Sequence, residues 1–125
     1  MIINNRPKHL ALHKIKLPLS GYVSILHRIS GALLFLALPF LLLLLDQSLR
    51  SIETYTTLAE NLAHPLLKLV LLGLMWAFWH HFCAGLRYLA IDLHLLPNLA
   101  AARASSRWVL AVSLTLTIVL GVKLW

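Results

Sequence analysis

The sequence predicts an all-α membrane protein: three transmembrane helices forming part of a heteromeric helix bundle. Three observations predict it. Of the 125 residues, 60% are hydrophobic and only 12% charged, where an ordinary soluble domain carries about a quarter charged residues. The apolar residues gather into three long runs, and a spanning helix needs about 20 mostly apolar residues. The basic residues cluster in the short segments that flank these runs, where positive charge orients a chain in a bilayer.

The elements follow in order, as one membrane-anchor domain over residues 1–125. Residues 1–21 read as a basic cytoplasmic arm in which Pro7 and Pro18 interrupt any helix. Ser20 or Gly21 is placed to cap the first span, about residues 22–45. Its stretch from Ile29 to Leu45 carries no charge and ends in an unbroken leucine run, with Pro39 inside. Proline is tolerated in membrane helices, so a bend is expected there. Asp46 to His64 is a polar connection with room for a short interfacial helix. Pro65 suits a first helical turn, and the second span runs over about residues 65–93. His94 to Ser106 reads as a second connection broken by Pro97, and the third span as residues 108–125, bracketed by Trp108 and Trp125. Lys and Arg are concentrated in the arm and the second connection, so the N-terminus is expected in the cytoplasm.

These numbers exclude several classes of function. The net charge of +7 belongs to membrane flanks rather than to a basic patch interleaved with aromatics, so no nucleic acid is expected. The single Cys83 makes no internal disulfide and no cluster site. No cleavable signal peptide and no long presequence stand out, which favours a bacterial origin. No dinucleotide fingerprint is present.

Chemistry concentrates in two places. Ser24 and Arg28 are four apart and share one helix face, with His27 adjoining. A hydroxyl beside a permanently charged guanidinium suits a carbonyl or carboxylate ligand. The plainer alternative is that Arg28 snorkels to lipid phosphates and Ser24 bonds its own backbone. In the second span, His80 and His81 end the run from Leu66 to Trp79. Polar rings at membrane depth are costly unless something inside the bundle satisfies them. Neighbours on a helix point about 100° apart, so only one of the two faces any given site. Gly85 lies one turn after His81 and Ala84 close by, leaving room for a flat macrocycle. Neutral imidazole is a good iron ligand, and hydrogen bonding within the bundle is the plainer alternative. Arg87 is placed to pair with Asp92 or to reach a propionate, and an interfacial ion pair of that kind is worth little. One chain offers one inward-facing axial histidine, and three helices do not readily enclose a macrocycle, so a second membrane chain is expected to complete the site.

Ser24-Ile25-Leu26-His27-Arg28-Ile29-Ser30-Gly31 resembles the S-I-L-H-R-x-[ST]-G signature of the cytochrome b membrane-anchor subunits of succinate dehydrogenase, respiratory Complex II. His81 to Arg87, followed by Asp92, resembles that family's second signature, H-x-x-x-G-x-R-H-x-x-x-D, with Tyr88 where the family often has His. Arg6-Pro7 and Pro18 also fit. The resemblance covers nearly the whole chain and implies specific roles. His81 would be the axial ligand to haem b, with the opposing histidine on a second, smaller anchor subunit. Ser24 and Arg28 would line the ubiquinone site. His27, Arg28 and Arg87 would hold haem propionates, and Asp92 would support the quinone pocket or its proton route. A flavoprotein and an iron–sulfur subunit would carry succinate oxidation for the tricarboxylic acid cycle and respiratory chain, docked on an inner-membrane anchor. The anchor of a fumarate reductase, a haem-free structural anchor and a small transporter subunit are the rival readings.

Overall fold

The computed structural model describes residues 16–124; residues 1–15, with Arg6 and Pro7, and Trp125 lie outside the described residues. All regular structure among the described residues is helical: α1 (Leu19–Arg50), α2 (Ile52–Leu62), α3 (Pro65–Asp92) and α4 (Leu99–Leu124). Three of these, α1, α3 and α4, are long and apolar enough to cross a membrane. At ~1.5 Å per residue each is longer than a ~30 Å hydrocarbon core, so their ends stand outside it or the helices tilt.

The helix boundaries have local causes. α1 is not capped by Ser20 or Gly21. Pro18 takes the N-cap position without a side-chain cap, and its carbonyl accepts from the Gly21 and Tyr22 amides at 2.8 and 3.4 Å. Proline pre-sets φ for such an entry and has no N–H of its own to satisfy. α1 then runs unbroken through Pro39 to Arg50, where Arg50 Nε donates to Asp46 at 2.8 Å. Ser51 ends α1 in an extended conformation and starts α2 through a capping box with Thr54. The Thr54 hydroxyl also donates to the Gln47 carbonyl at 2.9 Å, tying α2 back to α1. A short helix, as the sequence allows, is therefore present in this connection. At α3, His64 Nδ1 accepts from the Leu66 amide at 3.3 Å and Pro65 occupies the first turn.

The second connection is shorter than the sequence reading. His94 turns the chain with a positive φ of 57°, and α4 already begins at Leu99. Asn98 Oδ1 accepts from the Ala101 amide at 2.8 Å, which caps the helix. Arg103 and Arg107 lie within α4 and do not mark where the helix begins. Charge sets the depth of a helix, whereas caps and prolines set its length.

α3 occupies the middle of the bundle, packed against α1 on one side and α4 on the other, and α1 also touches α4. Small residues permit this. Ala77 and Ala84 of α3 are buried with Val109 of α4 and Val23 of α1, and backbones approach where side chains are short. Ser106 and Ser113 are fully buried on α4. Their hydroxyls return to the carbonyls one turn earlier, at 3.4 Å to Ala102 and 3.1 Å to Leu110, and so leave no donor unsatisfied. Most of the large leucines and phenylalanines point outward. In water such a surface would drive aggregation; it suits lipid or further membrane helices.

Candidate functional site

The seam between α1 and α3 brings the two sequence signatures together. His81 is half-buried on α3, and its ring lies against the backbone of α1. Its Nδ1 is 3.0 Å from the His27 carbonyl oxygen, and the Ser30 hydroxyl, which donates to the same carbonyl at 2.9 Å, sits 3.4 Å from that nitrogen. A carbonyl only accepts, so the hydrogen of a neutral ring is on Nδ1 and the lone pair on Nε2. Nε2 makes no hydrogen bond among the described residues and is not enclosed. The chain thus presents one imidazole nitrogen with its lone pair outward and its second nitrogen anchored.

The neighbours of this ring come from both helices. The His27 ring stacks on it with centroids 4.2 Å apart and planes 13° from parallel. On its other flank His27 meets Tyr88 at 5.3 Å. Gly85 faces His27: a methyl group there would stand 3.8 Å from His27 Nε2, ordinary contact. Within this chain, then, Gly85 is not forced by packing. Room at that position matters only to something that lies outside the three helices.

Ser24 and Arg28 lie in the same turns of α1. Ser24 is half-buried and Arg28 exposed, and neither side chain has a hydrogen bond or ion pair among the described residues. Ser24 therefore does not follow Ser30, Ser48 and Ser113 in bonding its own helix. Its hydroxyl and the guanidinium of Arg28 are both unspent among the described residues.

Arg87 is engaged elsewhere than the sequence suggested. It is 8% exposed, with Nε donating to Ser105 at 3.0 Å and Nη2 to the Ala102 carbonyl at 3.2 Å. Its guanidinium carbon also sits 5.3 Å from the Tyr88 ring centroid. Arg87 pins α3 to α4 rather than pairing with Asp92. Asp92 is exposed at the end of α3, ~16 Å along the helix from His81.

His80 points about 100° around the helix from His81. It is fully buried in the stripe Ala77, His80, Ala84, Arg87. Both of its ring nitrogens, and Nε1 of Trp76 nearby at a ring separation of 5.2 Å, lack hydrogen-bond partners among the described residues. The Val23 carbonyl interacts electrostatically with the ring without meeting hydrogen-bond geometry. Buried unpaired nitrogens cost more than an apolar group of similar shape. His80→Met is therefore expected to leave the thermal stability of the detergent-solubilised protein unchanged, or to raise it by about 1–3 kcal/mol. A loss of stability would reveal a partner for the ring.

No group of three or more His, Cys, Asp or Glu converges on a metal position among the described residues. A metal held at His81 would need its other ligands from a prosthetic group and from another chain. The fold and site together define a class: a helical membrane protein with three candidate spans and one imidazole held in the seam between α1 and α3. The family model described as succinate dehydrogenase/fumarate reductase transmembrane subunit matches residues 3–120. The chain belongs to this family, among the cytochrome b anchor subunits of succinate dehydrogenase. It is 36% identical over 121 residues to the succinate dehydrogenase cytochrome b556 subunit of Coxiella burnetii, covering 96% of this chain and 97% of the relative. The subunits of the same name from Paracoccus denitrificans, 31% identical over 91% of this chain and 88% of the relative, and Rickettsia felis, 31% over 97% and 94%, are further relatives.

Proposed function

We propose that this chain anchors a succinate:ubiquinone oxidoreductase in a bacterial cytoplasmic membrane with its N-terminus in the cytoplasm, ligates haem b through His81, and lines a ubiquinone-reducing site with Ser24 and Arg28. The observation that carries the reading is the His81 ring: its Nδ1 is spent on the His27 carbonyl and its Nε2 is free. Iron-ligating imidazoles want this arrangement, because the second-shell acceptor fixes the tautomer and raises the basicity of the ligating nitrogen. The relatives' name, cytochrome b556 subunit, agrees with it. A second small anchor subunit supplies the opposing axial histidine, and a flavoprotein and an iron–sulfur subunit dock on the cytoplasmic side.

The residues divide the work by chemistry. Haem b, when bound between two imidazoles, supplies one-electron transfer without an open coordination position. Arg28 offers a planar fork of charged donors and stabilises negative charge as it develops on a quinone oxygen. Ser24 donates to the quinone head group and passes it a proton. His27 and Arg28 face the propionates, joined by the donors of Arg87 that α4 leaves free. Asp92 serves the proton route at the helix end. Anchoring a fumarate reductase is the second reading, favoured by the breadth of the family description itself; the named relatives are dehydrogenase subunits.

The test is isolation of the complex from its native membrane by a tag on this chain. A dithionite-reduced b-type spectrum is expected, with a flavoprotein, an iron–sulfur protein and a second three-span chain in the preparation. A colourless preparation would overturn the haem assignment, and faster quinol:fumarate than succinate:quinone turnover would favour the second reading.

A further inference from the structure

We infer that Gly31 is the positioning residue for the His81 imidazole: the side chain it lacks is the space the ring occupies, and this fixes which way Nε2 faces. The inference rests on the reading of His81 as the haem ligand and assigns the device that seats it. A Cβ built at Gly31 would lie 2.8 Å from His81 Cε1 and 3.2 Å from Nδ1. The first separation is closer than real carbon atoms approach without something moving. A surface side chain would simply swing aside, but this ring is held at one edge and one face. Its Nδ1 is bonded to the His27 carbonyl, its face is stacked on the His27 ring, and Ser30 adjoins the same nitrogen. One added methyl group therefore breaks the carbonyl bond, tilts the ring out of its stack, or drives α1 and α3 apart. Gly73, in α3, carries no such constraint: a methyl group there meets nothing within 4 Å.

The consequence reaches the iron through the ligand. The Nδ1–carbonyl bond makes Nε2 a stronger donor, which favours the oxidised metal. Weakening that bond raises the midpoint potential, and tilting the ring changes the anisotropy of the low-spin ferric signal, which depends on how the two axial rings lie.

The experiment uses the purified whole complex carrying Gly31→Ala, Gly73→Ala or His81→Leu. Gly31→Ala is expected to retain haem with a midpoint potential shifted upward and altered low-temperature electron paramagnetic resonance, or with a reduced haem that now binds carbon monoxide. Gly73→Ala is expected to keep the parent values of all three. A Gly31→Ala complex with parent potential, resonance and no carbon monoxide binding overturns the positioning role while leaving the ligand assignment standing. Retention of an unaltered haem in His81→Leu overturns the ligand assignment itself. If Gly31→Ala lowers the yield of assembled complex too far for spectroscopy, a double-mutant cycle decides. In a His81→Ala background the ring is gone, so Gly31→Ala is expected to add no further loss of yield; an additive loss places the damage elsewhere and overturns the inference.

Discussion

Replacing His81 by leucine is expected to abolish the dithionite-reduced b-type spectrum of the purified complex, or to convert it to that of a displaced, carbon-monoxide-reactive haem. Leucine has a comparable volume and no nitrogen, so the lost property is ligation. The fold has little reason to suffer. The His27 carbonyl that His81 bonds keeps the Ser30 hydroxyl as a donor, so no buried acceptor is orphaned, and an unsatisfied acceptor is what makes such substitutions costly. His80→Met is the matching control, because that ring is fully buried in the stripe Ala77, His80, Ala84, Arg87 of α3. A spectrum unchanged in His81→Leu and lost in His80→Met would reverse the assignment of the two neighbours.

The second large effect is at Arg28. Arg28→Leu is expected to lower succinate:quinone reductase activity about a hundred-fold, the usual cost of one preorganised donor at a developing oxyanion. Succinate oxidation with a water-soluble dye is expected to stay at the parent rate, since it requires only the docked soluble subunits. Arg28 is exposed and has no partner among the described residues, so its removal breaks nothing within the helices. Arg28→Lys is expected to fall between the two, because lysine keeps the charge and loses the planar fork. Equal loss of the quinone and dye activities in Arg28→Leu would show an assembly defect instead of a site.

The anchored face of His81 and the free pair of Ser24 and Arg28 illustrate a division of labour within one chain. Groups that bond inside the bundle, such as Arg87 and Ser113, hold helices together. Ser24 and Arg28 make no such bond and are available to a ligand or a partner chain, whereas His80 is unpaired inside the bundle itself, where an unsatisfied polar group is a liability.

How much of this was legible beforehand differs from element to element. The three apolar runs, the turn at Pro65 and the divergence of His80 from His81 follow from residue type and the pitch of an α-helix. So does the pairing of Ser24 with Arg28 on one face. The start of α4 at Leu99 lies within the stretch that reads as a connection, because charge at Arg103 and Arg107 suggests a membrane flank while the helix itself is started by the Asn98 cap. The bond from Arg87 to Ser105 is not legible in the sequence, because Ser105 becomes near only when α4 folds back along α3.

By itself, then, the order of residues determined that this is a helical membrane protein with three spans, and which side chains share a helical turn, because bilayer thickness and helix pitch act on every segment locally. Only the tertiary structure decided which faces meet. The seating of His81 against Gly31 and the His27 carbonyl depends on how closely two backbones approach. That closeness is set by Val23, Ala77 and Ala84 acting across helices, and no periodicity along a single helix encodes it.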